Sequence, residues 1–244
     1  MRTTLRFALV VAVSGLVTAT SASATAAVPS PTVTQVVPAA ADVVGIAHPV
    51  DITVAGPVNR RAIEDSIRVL DPKGITGQFD WLDSDTVRFT PDEYWPAHST
   101  IRLSVGNTPL SFNTGAAVLG VADISAHTFT VSIDGVVARE MPASLGKPKY
   151  PTPVGSFTAL AKERDVVMDS RTIGIPLDSP EGYKLDVDYA VRVTWGGVYV
   201  HSAPWSVGSQ GYANVSHGCI NLSPDNAAWY FNTVSVGDPI IVNA

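Results

Sequence analysis

Short runs in which apolar and polar residues alternate fill the N-terminal half of the chain, and they constrain its fold more than any other feature. Alternation with a period of two places one face of an extended strand in a core and the other face in water. The runs occupy residues 50–54, 66–70, 78–81, 86–90 and 100–105. Turn-forming segments separate them at the short intervals typical of a β-sandwich. The sequence therefore predicts a mainly β chain that begins with an immunoglobulin-like β-sandwich, in which only residues 61–66 suggest a helical turn.

The first residues of the chain have the composition of a secretory signal. Arg2 and Arg6 precede an apolar run over residues 7–17, and small residues follow at 22–26. This run is shorter than the roughly 20 residues that a membrane-spanning helix requires. We therefore expect residues 1–27 to be a signal peptide that directs export to the periplasm or cell wall. An uncleaved membrane anchor is the alternative.

Composition and length bound the rest of the chain. With 45% hydrophobic and 16% charged residues it is typical of globular proteins. A formal net charge of −6 argues against nucleic-acid binding, because nucleic-acid binders present basic faces. The length of 244 residues suits one large or two small domains, and the junction is expected near Gly115. We expect the immunoglobulin-like domain over residues 28–115, with His48 and His98 in surface loops, and a second domain over residues 116–244.

The second half of the chain mixes strand, loop and helix signals. Asp134-Gly135 lies between two alternating runs and predicts a tight hairpin turn. Residues 165–189 mix acids, prolines and glycines, which is too irregular for regular structure throughout and is typical of an ordered lid. Ser223 followed by Pro224 predicts the start of a helix. Apolar residues at helical spacing then predict core packing by Ala227, Tyr230, Phe231 and Val234.

Chemistry is indicated by residues 216–221, Ser-His-Gly-Cys-Ile-Asn, which contain the only cysteine of the chain, Cys219. A thiol needs a base to become a nucleophile, because the thiolate is the attacking species. Either His201, fifteen positions before Ser216, or His217 could be that base. Gly218 permits a tight turn in which backbone N–H groups converge on an oxyanion. This combination of residues favours acyl transfer through a thioester.

Three other interpretations are open for these residues. A single cysteine or histidine is often a structural residue, so an inert thiol in a wall-binding module is one alternative. A zinc site is another, but a histidine two residues from a cysteine fits neither structural nor catalytic zinc spacing. Papain-like and NlpC-like thiol hydrolases place the cysteine before the histidine, whereas His201 precedes Cys219. We expect no metal and no other cofactor.

The segment resembles the signature of the L,D-transpeptidase (YkuD) family. That signature is a histidine, a spacer of about fourteen to seventeen residues, then Ser or Thr, His, Gly, Cys, a hydrophobic residue and Asn. Residues 200–206, 168–170 and 180–183 are similar to the mycobacterial branch of the family, and the short length is most similar to its type 1 members. The resemblance is strong from about Ala122 onward and loose before it. It implies that a YkuD-type catalytic β-sandwich or barrel with a short helix follows the immunoglobulin-like domain.

The same resemblance implies a reaction and a set of roles. Cys219 attacks the third residue of a peptidoglycan stem tetrapeptide, releases D-alanine and transfers the acyl group to an amine of a neighbouring stem, which forms a 3→3 cross-link. His201 takes the thiol proton, and the carbonyl of Ser202 orients its imidazole. His217 and Gly218 are expected to shape the oxyanion site. The residues expected to contact substrate are Met168, Tyr183, Gly196, Gly197, Trp205 and Asn221.

Two further consequences follow from a thioester intermediate. The resemblance implies that β-lactams of the carbapenem class acylate the enzyme. Water could resolve the same intermediate, so an L,D-carboxypeptidase is the alternative enzyme, and the sequence does not separate the two. The expected partners are therefore stem peptides and carbapenems, with membrane contact only through an uncleaved signal.

Overall fold

The computed structural model describes residues 31–56 and 59–244 of the chain. The predicted signal peptide, and the alternative of an uncleaved anchor, lie outside these residues. Within the described ranges, no helix is long and apolar enough to cross a membrane. Two β-rich halves follow each other along the chain, and each has its own cluster of buried apolar side chains.

The N-terminal half is a sandwich of two four-stranded sheets, as the alternating runs predict. The strands are β1 (Thr32–Val37), β2 (Val43–Val44), β3 (Val50–Ala55), β4 (Ile67–Asp71), β5 (Gly77–Trp81), β6 (Thr86–Pro91), β7 (Thr100–Val105) and β8 (Thr108–Thr114). One sheet has the order β1-β3-β6-β5 and the other the order β2-β8-β7-β4. A single helical turn, α1 (Arg60–Glu64), lies in the predicted position. The immunoglobulin-like prediction for this half is confirmed.

Alternation along β3 shows how the sequence produces this sandwich. Val50, Ile52 and Val54 are buried in the core between the sheets, whereas the residues between them face outward. Outward-facing Asp51 accepts two hydrogen bonds from Arg88 on the neighbouring β6, at 2.7 and 2.8 Å. Polar positions thus pair across strands on the solvent side, while apolar positions build the core.

The C-terminal half contains two more sheets and one longer helix. Its elements are β9 (Val118–Asp123), β10 (Thr128–Ile133), β11 (Val136–Pro142), β12 (Gly155–Thr158), β13 (Ala161–Asp169), β14 (Lys184–Arg192), β15 (Tyr199–Ser202), β16 (Ile220–Leu222), α2 (Pro224–Thr233) and β17 (Pro239–Asn243). The five-stranded sheet has the order β11-β10-β9-β17-β12, and the four-stranded sheet the order β13-β14-β15-β16. Asp134 and Gly135 form the predicted hairpin turn, both with positive φ. The prediction that this half is mainly β with a short helix is confirmed.

Helix α2 packs behind the strands that carry the chemistry. The Ser223 side chain accepts a hydrogen bond from the Asn226 N–H, and Pro224 opens the helix, as predicted. Tyr230 is buried and packs edge-on against Phe129, with ring centroids 4.8 Å apart. The helix packs against β14 and β15, and Ala227 and Val234 join the same core. Strand β15 is thereby supported from behind.

The irregular loop is shorter than predicted. Residues 165–189 were expected to lack regular structure throughout, but β13 continues to Asp169 and β14 begins at Lys184, so both ends of that range belong to paired strands. The irregular part is residues 170–183, which we call the lid. The strands were missed because both faces of this ribbon are partly exposed and carry polar side chains. Backbone pairing stabilises such a ribbon without an apolar alternation.

The two halves meet through a short loop of the first and a turn of the second. Gly45 N–H donates to Val236 O at 2.8 Å, and Ala47 N–H donates to Gly237 O at 2.8 Å. His48 packs against Gly237, and His98 Nε2 lies 2.9 Å from the Asp134 carboxylate. The surface-loop expectation is therefore corrected for His48, which packs against the second half, whereas His98 lies in an exposed loop as expected and also contacts Asp134.

Candidate active site

The nucleophile candidate lies at the start of the short strand β16. This strand pairs in parallel with β15, and His201 lies directly opposite Asn221. Residues two apart on a strand point to the same face. Cys219, immediately before β16, therefore faces the same side of the sheet as His201 and Asn221. The register of two adjacent strands brings together residues that are eighteen or more positions apart in the sequence.

His201 is buried and held by a single backbone contact. Its side chain is 2% exposed, and Nδ1 lies 2.8 Å from the carbonyl oxygen of Ser202. A carbonyl only accepts, so Nδ1 carries the proton and donates it, and Nε2 is left with a free lone pair in the neutral ring. Burial lowers the pKa of His201 to about 4. At neutral pH the imidazole is therefore uncharged and able to accept a proton.

Cys219 is also uncharged at neutral pH. Burial raises the pKa of its thiol to about 11, although the nearby Tyr199 N–H acts in the opposite direction. The thiol donates a long hydrogen bond to the carbonyl oxygen of Gly197, with Sγ and O 3.6 Å apart. Neutral thiol and neutral imidazole are thus the resting forms, so a nucleophile is generated only when a base takes the thiol proton during attack.

Two cavities open on Cys219. The larger, about 370 Å³, is lined by His201, Trp205, Leu185 and Val215, and we call it the histidine cavity. The other, about 300 Å³, is the glycine cavity, which is lined by Gly196, Gly197, Trp195, Asp169, Thr172, Ile173, Arg192 and Tyr199. Met168 and Tyr183 line both cavities. The sulfur is therefore reachable from two sides, and His201 borders only one of them.

A tight turn presents backbone donors beside the sulfur. We call residues 216–219 the cysteine loop; within it Gly218 has φ of +118°, which favours glycine. The Ser216 hydroxyl accepts from the Gly218 N–H at 3.1 Å and donates to Cys219 O at 2.6 Å. The Gly218 amide is thus already used. The amides of His217 and Cys219 have no acceptor among the described residues, so they remain as donors for an oxyanion.

His217 points away from a role at the sulfur. Its Nε2 lies 2.9 Å from the carboxylate of Glu181, a residue of the lid. Its ring lies between those of Tyr150 and Tyr183, with centroid distances of 4.8 and 5.1 Å. Of the two histidines considered as bases, His217 has its Nε2 engaged with a carboxylate, whereas His201 has Nε2 free and borders the histidine cavity.

Asn221 and Trp205 shape the wall of the histidine cavity. The buried Asn221 amide donates to the Ser206 hydroxyl at 3.2 Å. Ser206 ends a short 3₁₀ turn, Pro204–Ser206, that carries Trp205. The half-exposed Trp205 ring lies 6.0 Å from the ring of His201. Asn221 therefore supports the turn that carries one wall of the cavity.

Sequence reasoning missed several residues of the site. Thr152 is buried, accepts from the Gly146 N–H at 2.8 Å and donates to Gly218 O at 2.9 Å, so it holds the cysteine loop from below. Trp195 is 72% exposed at the rim of the glycine cavity. Its position next to Gly196-Gly197 was a signal, because a large aromatic residue at a hairpin tip has no core to enter. The interaction of Glu181 with His217 had no signal in the sequence.

Metal ligation has little support in the geometry. Across residues 31–56 and 59–244, no group of three or more His, Cys, Asp or Glu side chains is placed to hold a metal ion. His201, His217 and Cys219, the three candidate ligands, do not converge, because the Nε2 of His217 faces Glu181.

The fold brings a thiol and an upstream histidine to one cavity, and comparisons with known proteins specify the class of protein. Residues 118–242 match the L,D-transpeptidase catalytic domain (YkuD), and residues 10–108 match the bacterial Ig domain. L,D-transpeptidase 1 of Mycobacterium tuberculosis is 64% identical over 211 residues, which are 86% of this chain and 84% of that protein.

Two solved structures extend this similarity to three dimensions. An L,D-transpeptidase from Mycobacterium smegmatis is 71% identical, with a TM-score of 0.84 over 88% of this chain and 99% of that one. M. tuberculosis L,D-transpeptidase 1 in complex with imipenem has 64% identity and a TM-score of 0.80, over 88% and 100% of the two chains. The chain therefore belongs to the L,D-transpeptidase (YkuD) family and is an enzyme of that class. The predicted similarity to mycobacterial type 1 members is confirmed.

Proposed function

We propose that this enzyme forms 3→3 cross-links between peptidoglycan stem peptides through a thioester on Cys219. The observation that supports this most directly is that Cys219 and His201, both uncharged at neutral pH, line the same cavity. Such a pair suits acyl transfer, since one base can serve the nucleophile, the leaving amine and the incoming amine in turn.

In the first step His201 Nε2 takes the thiol proton while Cys219 Sγ attacks the carbonyl carbon of the third stem residue. The C=O π electrons move to the oxygen, and the N–H groups of His217 and Cys219 stabilise the resulting oxyanion. Each such donor typically contributes about 10²–10³ in rate. The carbonyl of Ser202 keeps the imidazole in the required tautomer and stabilises the imidazolium that forms.

In the second step the tetrahedral intermediate collapses. The carbon–nitrogen bond breaks, and the imidazolium of His201 gives its proton to the departing nitrogen, so D-alanine leaves as a neutral amine. The acyl group stays on Cys219 as a thioester, and His201 returns to its neutral form. In the last step the incoming amine attacks the thioester carbonyl carbon and gives a proton to His201. The carbon–sulfur bond then breaks, and the Cys219 sulfur regains its proton from the imidazolium.

The cavity that His201 borders determines where each substrate lies. The incoming amine must give a proton to the same imidazole that protonated the leaving amine, so both amines occupy the histidine cavity in turn. The acyl part of the donor stem then occupies the glycine cavity, where Gly196 and Gly197 offer backbone contacts. Met168 and Tyr183 border both cavities and contact the chain where it crosses the sulfur.

Carbapenems are expected to acylate Cys219 by the first step alone. The lactam nitrogen stays tethered after its bond to the carbonyl breaks, so no leaving group vacates the histidine cavity for an acceptor. A relative with 64% identity has been solved in complex with imipenem. We therefore expect one imipenem molecule per chain on Cys219, as a thioester.

A direct test uses disaccharide tetrapeptide as the only substrate. Wild-type enzyme should give cross-linked dimer and D-alanine, whereas Cys219→Ala should give neither. Mass spectrometry separates dimer from free tripeptide, so tripeptide without dimer would instead establish the L,D-carboxypeptidase. Cross-linking retained by Cys219→Ala would refute the nucleophile assignment.

The cellular setting belongs to the same proposal. A substrate in the peptidoglycan requires export to the periplasm or cell wall, which is consistent with the predicted signal over residues 1–27. We further propose domain boundaries at residues 28–115 and 116–244. In this arrangement the immunoglobulin-like domain spaces the catalytic domain within the wall and carries no chemistry of its own.

A further inference from the structure

The lid, residues 170–183, is closed at its base by its own hydrogen bonds. Ser170 N–H donates to Tyr183 O at 2.9 Å, and Tyr183 N–H donates to Ser170 Oγ at 3.0 Å. The same hydroxyl donates to Ile175 O at 2.9 Å, inside the loop. These contacts hold both ends of the lid together. A displacement of the lid would therefore move it as one unit on the β13–β14 ribbon.

The position of this unit sets the width of both cavities. Tyr183 lines the histidine cavity and the glycine cavity, and Thr172 and Ile173 line the glycine cavity. Tyr183 and Cys219 line both cavities together, and partial burial raises the pKa of the Tyr183 hydroxyl. Movement of the lid would open the sulfur to water from both sides.

One carboxylate joins the lid to the body of the enzyme. Glu181 contacts the Lys147 ammonium and the His217 ring through Oε2, and its Oε1 lies 3.8 Å from Lys149 Nζ. In the described part of the chain, every hydrogen bond and ion pair between the lid and residues outside 168–184 passes through Glu181. Lys147 and Lys149 hold the pKa of Glu181 below its usual value, so it is charged at neutral pH.

The other side of this contact is built into the cysteine loop. His217 lies two residues before Cys219, and the Lys147 N–H donates to Ser216 O at 3.0 Å. The His217 ring fills the space between Tyr150 and the lid residue Tyr183. Glu181 therefore contacts the cysteine loop directly through His217, and indirectly through Lys147, whose backbone N–H is bonded to Ser216 O.

We propose that Glu181 is a positioning residue whose carboxylate, held by Lys147 and His217, fastens the lid to the cysteine loop and keeps both cavities closed around the acyl group. The inference rests on Cys219 as the nucleophile of the proposed function. Loss of the Glu181 contacts with Lys147 and His217 has opposite effects on the reaction of Cys219 with small and large reagents. A small reagent reaches the sulfur more easily, whereas a large acyl donor is held less well and reacts more slowly.

The test compares Glu181→Gln with Asp178→Asn, a substitution of another lid acid, which is exposed and has no polar partner among the residues that the structure describes. Intact-mass measurements follow labelling of Cys219 by imipenem and, separately, by iodoacetamide. For Glu181→Gln we expect imipenem acylation about tenfold slower and iodoacetamide labelling a few fold faster, with Asp178→Asn like wild type in both. Unchanged rates for Glu181→Gln, or equal changes in Asp178→Asn, would overturn the proposal.

Lys147→Met gives a second, independent route to the same contact. Alone it should change both rates in the same directions as Glu181→Gln. Because both substitutions break one contact, the double variant should be no slower with imipenem than the slower single variant. Additive losses, at unchanged melting temperature, would show that the residues act separately. A wild-type enzyme that is inert to imipenem would refute the proposed function, while the iodoacetamide comparison would still test the fastening.

Discussion

Cys219 and His201 face one cavity from adjacent parallel strands, and burial keeps both uncharged at neutral pH. Burial disfavours the charged form of each group, so the thiol pKa rises while the imidazole pKa falls. A thiolate–imidazolium pair would need shifts in the opposite directions. In the proposed mechanism the enzyme therefore rests with a protonated thiol, and the nucleophile forms only when an acyl donor is bound.

The ionisation of Cys219 can be measured by alkylation. The rate with iodoacetamide should rise about tenfold per pH unit and show no plateau before pH 10. Only the thiolate reacts, and its fraction increases tenfold per pH unit until the pH approaches the Cys219 pKa of about 11. His201→Ala should show the same slope, since the imidazole carries no charge that would stabilise a thiolate. Labelling is followed by intact mass between pH 6 and pH 10. A plateau near pH 7 would contradict the neutral pair.

Thr152→Val should loosen the cysteine loop. The isosteric change leaves the Gly146 N–H and the Gly218 carbonyl without their buried partner, which costs about 1–3 kcal/mol of unfolding free energy. We expect acylation by imipenem to slow by about tenfold, because the loop that carries Cys219 loses its support. Thr34→Val is the matched control, since it removes only an exposed hydrogen bond to Thr53 O. Equal effects of the two variants on melting temperature and acylation would speak against this role.

The assignment of substrates to cavities predicts different product ratios for two tryptophan variants. Trp205→Ala removes the side chain that lines the histidine cavity beside His201, so the acceptor amine should bind less well. Water should then hydrolyse a larger fraction of the thioester. The ratio of dimer to tripeptide should then fall by about tenfold. Trp195→Ala alters the glycine cavity, so turnover should slow while the ratio stays as in wild type. A changed ratio for Trp195→Ala alone would reverse the assignment.

Contact between the two halves should be sensitive to one added methyl group. A Cβ on Gly45 would overlap the backbone nitrogen of Asp238, and neither backbone can move away cheaply. Gly45→Ala should therefore cost about 1–3 kcal/mol and lower the melting temperature by several degrees. Gly208→Ala is the control, because nothing lies within 4 Å of a Cβ at that position. Equal melting temperatures for the two variants would contradict the tight contact.

Asp238 should make stability fall as pH rises. Its side chain is 1% exposed, and burial raises its pKa from 3.8 to about 7, while Lys162 acts in the opposite direction. Between these pH values the native state holds a proton that the unfolded state releases. The stabilisation that protonated Asp238 gives the native state is therefore complete below pH 3.8 and lost as the pH rises through 7. Between these values the free energy of unfolding falls by up to about 1.4 kcal/mol per pH unit.

Asp238→Asn removes this titration. Urea unfolding between pH 4 and pH 8 should show that the variant gains stability relative to wild type as pH increases. Tyr230 also faces Asp238, so Tyr230→Phe serves as the control that keeps the carboxyl and its pH dependence. A constant difference between Asp238→Asn and wild type over the whole range would contradict the raised pKa.

Local patterns in the sequence predicted much of this molecule. Alternation along residues such as 50–54 predicted the sandwich, and the spacing of Ala227, Tyr230 and Val234 predicted the buried face of α2. The order and spacing of His201 and Cys219 predicted the family. Each of these patterns lies within a short window, where side-chain periodicity or a fixed set of residue types carries the information.

Other features depend on contacts between distant segments. His217 was open as a base until the fold placed Glu181, thirty-six residues away, against its Nε2. The polar strands β13 and β14 are defined by their backbone pairing and not by their side-chain pattern. The Gly218 N–H is unavailable to an oxyanion because the rotamer of Ser216 directs its hydroxyl to that N–H. The sequence by itself determined which residues have the chemistry, because reactivity belongs to residue type. Only the tertiary structure decided which are buried, which share a cavity and which are already bonded, because burial and hydrogen bonding depend on neighbours that the chain brings in from elsewhere.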